Sequence, residues 1–88
     1  MTETAGKKKI LVVDDDENNV KFIGSLLEYY NYEYMPAGNG IEALEKTLAY
    51  DPDLIILDVM MPEMDGYETC RRLKGSPETQ HIPVVMVT

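Results

Sequence analysis

The sequence predicts an α/β fold, a doubly wound parallel sheet whose strands are joined by right-handed helical crossovers. Two observations carry this reading. Four short apolar runs, residues 10–13, 32–37, 54–57 and 84–87, alternate with three stretches of helical periodicity, giving the order β-α-β-α-β-α-β. Two of the runs, Ile10-Leu11-Val12-Val13 and Leu54-Ile55-Ile56-Leu57, are continuously apolar, which fits strands covered on both faces. Parallel neighbours need a crossover, and crossovers within one sheet are almost always right-handed.

The elements follow in order. The first strand, 10–13, ends abruptly in acids. Asp16 or Asp15 can cap the next helix, with Glu17 in its first turn, where a negative charge complements the helix dipole. Val20, Ile23, Leu26, Leu27 and Tyr30 recur at three- and four-residue spacing and predict one apolar face, with Asn31 as the stop. The second strand, 32–37, contains Pro36, which cannot donate to a ladder and so predicts a sheet edge. Gly38-Asn39-Gly40 is a turn. Ile41, Leu44, Glu45 and Leu48 then carry an amphipathic helix to about Tyr50, and Asp51-Pro52-Asp53 breaks it. The third strand ends in Asp58, and 59–66 is a loop. A third helix runs from about Tyr67 to Lys74 and stops at Gly75-Ser76-Pro77. Pro83 opens a fourth strand, Val84-Val85-Met86-Val87, expected to be buried and to end at the Thr88 hydroxyl.

With 88 residues the chain is one domain at most. Residues 1–8 are expected to form a flexible tail and 9–88 the domain. A net charge of −8 argues against a general nucleic-acid binder and against anionic membrane surfaces. Lys7-Lys8-Lys9 is too short a basic run to reverse this and reads as a solvated lead-in. Cys70 is the single cysteine, so no intramolecular disulfide forms. The apolar runs are far shorter than a membrane span, and the polar residues 1–6 carry no signal-peptide pattern, so the cytoplasm is the expected location.

In sheets of this kind, ligands bind outside the carboxyl ends of the strands. The first strand ends in Asp14-Asp15, the third in Asp58 and the fourth in Thr88. If strands one and three are neighbours, three carboxylates converge on one crevice, and a cation is needed to keep all three ionised. Oxygen-only donors in a small site suit a hard divalent ion, Mg²⁺ in particular. A carboxylate beside Mg²⁺ is equipped to attack phosphorus and needs no general base. A hydroxyl such as that of Thr88 would hold a phosphoryl oxygen. Acids at strand ends also simply cap helices, so Asp14-Asp15-Asp16 alone does not decide the matter. The joint pattern with Asp58 and the loop Asp58-Val59-Met60-Met61-Pro62-Glu63-Met64-Asp65-Gly66 is sharper.

The stretches ILVVDDDENN, PDLIILDVMMPEMDGYETCRRLK and IPVVMVT resemble the receiver domains of bacterial two-component response regulators, from about Lys9 to Thr88. The resemblance implies a flavodoxin-like sheet of strand order 2-1-3-4-5, here incomplete. It implies Asp58 as the phosphoacceptor, charged by a phosphohistidine on a sensor histidine kinase or phosphotransfer protein. It also implies Mg²⁺ ligated by Asp15, Asp58 and the Met60 backbone carbonyl, with Asp14 acting through a metal-bound water, and Thr88 as the switch hydroxyl. Such a domain is a signalling phosphoacceptor and not an enzyme on other substrates.

The family has a fourth helix, a fifth strand bearing a lysine and an aromatic residue, and a fifth helix after the switch hydroxyl, and this sequence has no match to them. The expected consequences are slower phosphoryl transfer and self-association through the exposed strand Val84 to Val87. The alternative reading is a phosphorylation-incompetent fragment serving as an assembly module or an engineered half-domain. A haloacid-dehalogenase-type phosphatase needs a second acid where Met60 stands. An EF-hand fails at Asn19 and Ser25, and Gly38-Asn39-Gly40 lacks the third glycine of a dinucleotide fingerprint. His81 reads as surface, Met60, Met61 and Met64 as loop packing, and Cys70 as packed. The cluster Tyr29, Tyr30, Tyr32 and Tyr34 reads as a cover over the edge between helix one and strand two.

Overall fold

The computed structural model describes residues 7–87; residues 1–6 of the expected tail and the expected switch residue Thr88 lie outside the described residues. The elements are β1 (Lys9–Val13), α1 (Glu17–Tyr29), β2 (Glu33–Ala37), α2 (Gly40–Tyr50), β3 (Leu54–Asp58), α3 (Gly66–Lys74) and β4 (Val84–Val87). The strands form one parallel sheet of order β2-β1-β3-β4. The central pair β1 and β3 is flanked on one side by β2, so Pro36 does lie on an edge strand.

Each helix starts on a side-chain cap. Asp16 accepts from the Asn18 N–H at 2.9 Å, Asn39 from Glu42 at 2.8 Å and Asp65 from Glu68 at 2.9 Å. Asn31 adopts φ 70° just after α1, a left-handed turn that an asparagine tolerates, and so ends the helix as expected.

Alternate strand residues face opposite layers. Leu11, Val13, Ile55 and Leu57 pack under α2 and α3 with Ala43, Met61, Leu73 and Ile82. Ile10 and Val12 pack under α1 with Val20, Ile23, Leu27 and Tyr34. Cys70 is half-buried against the first of these clusters, as expected, and His81 is exposed. No described helix is long and apolar enough to cross a membrane.

Several sequence expectations are corrected. Leu26 and Tyr30 do not join the buried face of α1; Gly24 lies there instead, because the Tyr34 ring packs against its bare Cα. In α2 the buried residues are Gly40, Ala43 and Thr47, while Ile41 and Leu48 are exposed. Small residues let α2 lie close to α3, where Thr69 and Met64 fill the space over Gly40. β4 is not buried throughout: Val85 is 48% and Val87 37% exposed. Of the tyrosine cluster, Tyr34 does pack between β2 and α1, whereas Tyr29 and Tyr30 are exposed and meet edge to face at 5.1 Å. Met61 packs in the core, but Met60 is 75% exposed. Lys9 is not solvated lead-in. It opens β1, and its ammonium donates to the Tyr50 carbonyl at 2.6 Å while lying 5.0 Å from the centre of the Tyr50 ring.

Candidate functional site

The parallel pairing of β1 with β3 places Val13 beside Leu57, so the residues after Val13 and after Leu57 lie at the same end of the sheet. Asp14, Asp15 and Asp58 thereby each present a carboxylate oxygen within 4.8 Å of the others, and they are the only such cluster of acids, histidines or cysteines among the described residues. Asp14 is buried, Asp58 half-buried and Asp15 exposed, so the cluster has a floor and an opening to solvent.

Each acid is held differently. The Asp14 backbone N–H donates to Ala37 O on the edge strand at 3.0 Å, which fixes where the chain leaves β1. Its Oδ1 accepts from the Asp16 N–H at 2.9 Å and its Oδ2 from Asn19 Nδ2 at 3.4 Å. Asp16, the third acid of the run, turns away to cap α1. The Met60 backbone N–H donates to Asp58 Oδ1 at 3.2 Å, and the Met60 side chain projects into solvent. Burial pushes the Asp58 carboxyl above its ordinary value of 3.8; the Met60 N–H opposes this, and the neighbouring Asp14 and Asp15 add to it.

Two residues of this site had no role in the sequence reading. Asn19 stands five positions after Asp14, on the first turns of α1, and reaches back to it. The spacing of an amide near an acid at a helix start was the only available signal. Gly66, the first residue of α3, is the other. A Cβ there would run into the Asp58 carbonyl and the Val59 Cα, and the Gly66 N–H donates to Val59 O at 2.9 Å. The glycine lets α3 press directly on the backbone that carries Asp58. Its place behind the capping Asp65 disguised it as a loop residue.

The donor set suits a hard cation. All donors are carboxylate oxygens and three of them fit in one small volume; burial first, and the neighbouring Asp14 and Asp15 after it, hold the Asp58 carboxyl up, and a divalent ion would oppose both. Lys9, Lys46 and Lys74 cannot serve instead, since each donates to a backbone carbonyl elsewhere.

A doubly wound parallel sheet with acids gathered at the carboxyl ends of its central strands defines a class of ligand-binding α/β domain. Within it, the response regulator receiver domain family model matches residues 10–88, and the chain belongs to that family. The response regulator PleD of Caulobacter vibrioides is 50% identical over 80 residues, which is 91% of this chain and 18% of PleD. The N-terminal domain of a response regulator receiver protein from Methanoculleus marisnigri JR1 superposes with a TM-score of 0.91 at 46% identity, covering 92% of this chain and 66% of that one. The receiver domain of sensor histidine kinase PA1611 from Pseudomonas aeruginosa PAO1 superposes with a TM-score of 0.88 at 25% identity, covering 94% of this chain and 68% of that one. That structure holds a magnesium ion in its active-site cleft. The chain thus spans under a fifth of PleD and about two-thirds of these receiver structures. Receiver domains are signalling domains, and the flavodoxin-like fold read from the sequence is the one found.

Proposed function

We propose that this chain is the phosphoacceptor of a two-component phosphorelay, with Asp58 receiving the phosphoryl group. The observation that carries the reading is the convergence of Asp14, Asp15 and Asp58 within 4.8 Å at the carboxyl ends of β1 and β3. The donor would be a phosphohistidine on a sensor histidine kinase or a phosphotransfer protein. An Asp58 oxygen forms the new O–P bond as the P–N bond breaks, and the electron pair returns to the imidazole nitrogen. The Met60 N–H engages Oδ1, and Oδ2 would make the attack. Asp15, Asp58 and the Met60 carbonyl would ligate Mg²⁺, with Asp14 acting through a metal-bound water. The bound ion would supply neutralising charge at the phosphoryl oxygens. The Thr88 hydroxyl would hydrogen-bond one of those oxygens.

Incubation with acetyl phosphate and Mg²⁺, followed by intact-mass measurement, tests the proposal. One phosphoryl group should add to the protein, and none to Asp58→Asn. Equal labelling of the two would refute it.

Two surfaces extend the reading to partners. α1 starts beside the acids, and its outer face exposes Phe22, Leu26 and Tyr29, spaced to meet an apolar helical surface on the phosphoryl donor. Asp58↔Val87 pairing leaves the other edge of β4 without a strand neighbour among the described residues, and Val85 and Val87 are exposed on it. Self-association through this edge is the accompanying proposal. Light scattering on a size-exclusion column should show a dimer that Val85→Lys converts to monomer; a monomer at all concentrations would remove it.

A further inference from the structure

We infer that Asn19 is a positioning residue for the metal site, acting through Asp14. The inference rests on the proposed Mg²⁺ role of the three aspartates and adds a residue to it. Asp14 is the most buried of the three, at 7% exposure, and a carboxylate so placed needs partners for both oxygens. Oδ1 has the Asp16 backbone N–H at 2.9 Å. That bond leaves the second oxygen of a buried carboxylate still in need of a donor. Among the described residues Oδ2 has one donor, the Asn19 side-chain amide at 3.4 Å. The amide presents its nitrogen, and the carboxylate oxygen accepts. Two donors at two oxygens fix the plane of the group, and each oxygen keeps a lone pair for a metal-bound water.

The placement of Asn19 follows from α1. Asp16 caps that helix through the Asn18 N–H, and the first turn then carries Asn19 back over the end of β1. Asn18, one residue earlier, donates no side-chain hydrogen bond to the acids, although it is the same residue type and also exposed. It is the natural control. Supporting residues of this kind, which orient a metal-binding carboxylate without touching the metal, typically alter metal affinity about 10- to 100-fold when removed.

The experiment is a Mg²⁺ titration by calorimetry of the wild type, Asn19→Leu and Asn18→Leu, each checked by its amide NMR fingerprint. Asn19→Leu should weaken Mg²⁺ binding about tenfold, and Asn18→Leu should leave it unchanged. Acetyl phosphate labelling of Asn19→Leu should recover the wild-type maximal rate at high Mg²⁺, because only affinity is lost. A general structural defect would lower the maximal rate as well. Equal Mg²⁺ affinity of a folded Asn19→Leu and the wild type overturns the inference. A second readout needs no metal. In the metal-free protein the Asn19 side-chain amide resonances should shift in Asp14→Asn and stay put in Asp15→Asn. The absence of that shift overturns the inference on its own. Failure of the wild type to bind Mg²⁺ would instead overturn the metal assignment, and the metal-free measurement would still decide whether Asn19 holds Asp14.

Discussion

At the amino ends of its strands the sheet carries Lys9, Glu33, Tyr50 and Asp53; at the carboxyl ends it carries Asp14, Asp15 and Asp58. In the first group each residue meets a complementary partner. The Lys9 ammonium meets the Tyr50 carbonyl at 2.6 Å, the Tyr50 hydroxyl donates to Glu33 at 2.9 Å, and the Lys9 backbone N–H donates to Asp53 at 2.8 Å. Burial, with Glu33 beside it, pushes the Tyr50 hydroxyl well above its usual titration range, so it stays protonated and keeps donating. In the second group three like charges share a space within 4.8 Å, and Asp58 is pushed up rather than down. Mixed charges that satisfy one another tie α2 and the loop before β3 to the sheet. Like charges held together oppose folding locally, and a cation would relieve that opposition.

That contrast can be broken or sharpened by experiment. The largest expected effect is that of Mg²⁺. At about 100 times its dissociation constant it should stabilise the wild type by about 2.7 kcal/mol in urea denaturation. It should stabilise Asp14→Asn combined with Asp58→Asn very little. Equal stabilisation of both would place the ion elsewhere. Next comes Gly66→Ala, whose Cβ would collide with the Asp58 carbonyl. It should cost about 1–3 kcal/mol and lower Mg²⁺ affinity as well, since the collision displaces a proposed ligand. At the opposite end, Tyr50→Phe should cost about 1 kcal/mol by removing the bond to Glu33. It should leave Mg²⁺ affinity untouched. A change in metal binding there would mean that the two ends are coupled and the comparison fails.

The smallest effect is the pH dependence of Asp58. Its carboxyl is raised in the folded protein, so the fold favours the protonated form. The stability this contributes is complete below the ordinary value of 3.8 and is lost as pH rises through the raised value. Asp58→Asn cannot lose it. Measured without metal, the variant should therefore gain on the wild type as pH rises through that window, and Mg²⁺ should reduce the difference. A constant difference across the window would show that the fold does not raise the Asp58 carboxyl.

Much of this was legible in the sequence because strand ends and acids are local signals. Ile10-Leu11-Val12-Val13 and Leu54-Ile55-Ile56-Leu57 each stop at an acid, and parallel pairing does the rest. Pro36 marked the edge strand by its missing N–H. What was not legible depended on who packs against whom. Helical periodicity put Ile41 and Leu48 on the buried face of α2, but the narrow approach to α3 selected Ala43 and Thr47. Lys9 read as solvated because its partner, Tyr50, is 41 residues away. Gly66 and Asn19 carry no local signal for a similar reason. Their significance lies in contacts with Asp58 and Asp14 that no spacing rule encodes.

The central claim is that Asp58 accepts phosphate in a site assembled by Asp14 and Asp15. Its most direct test is peptide mapping after acetyl phosphate treatment, with the acyl phosphate reduced by borohydride to mark its position. With Mg²⁺ the mark should fall on Asp58 alone, and with a chelator it should vanish. A mark on another acid, or labelling of Asp58 that is indifferent to Mg²⁺, would contradict the account.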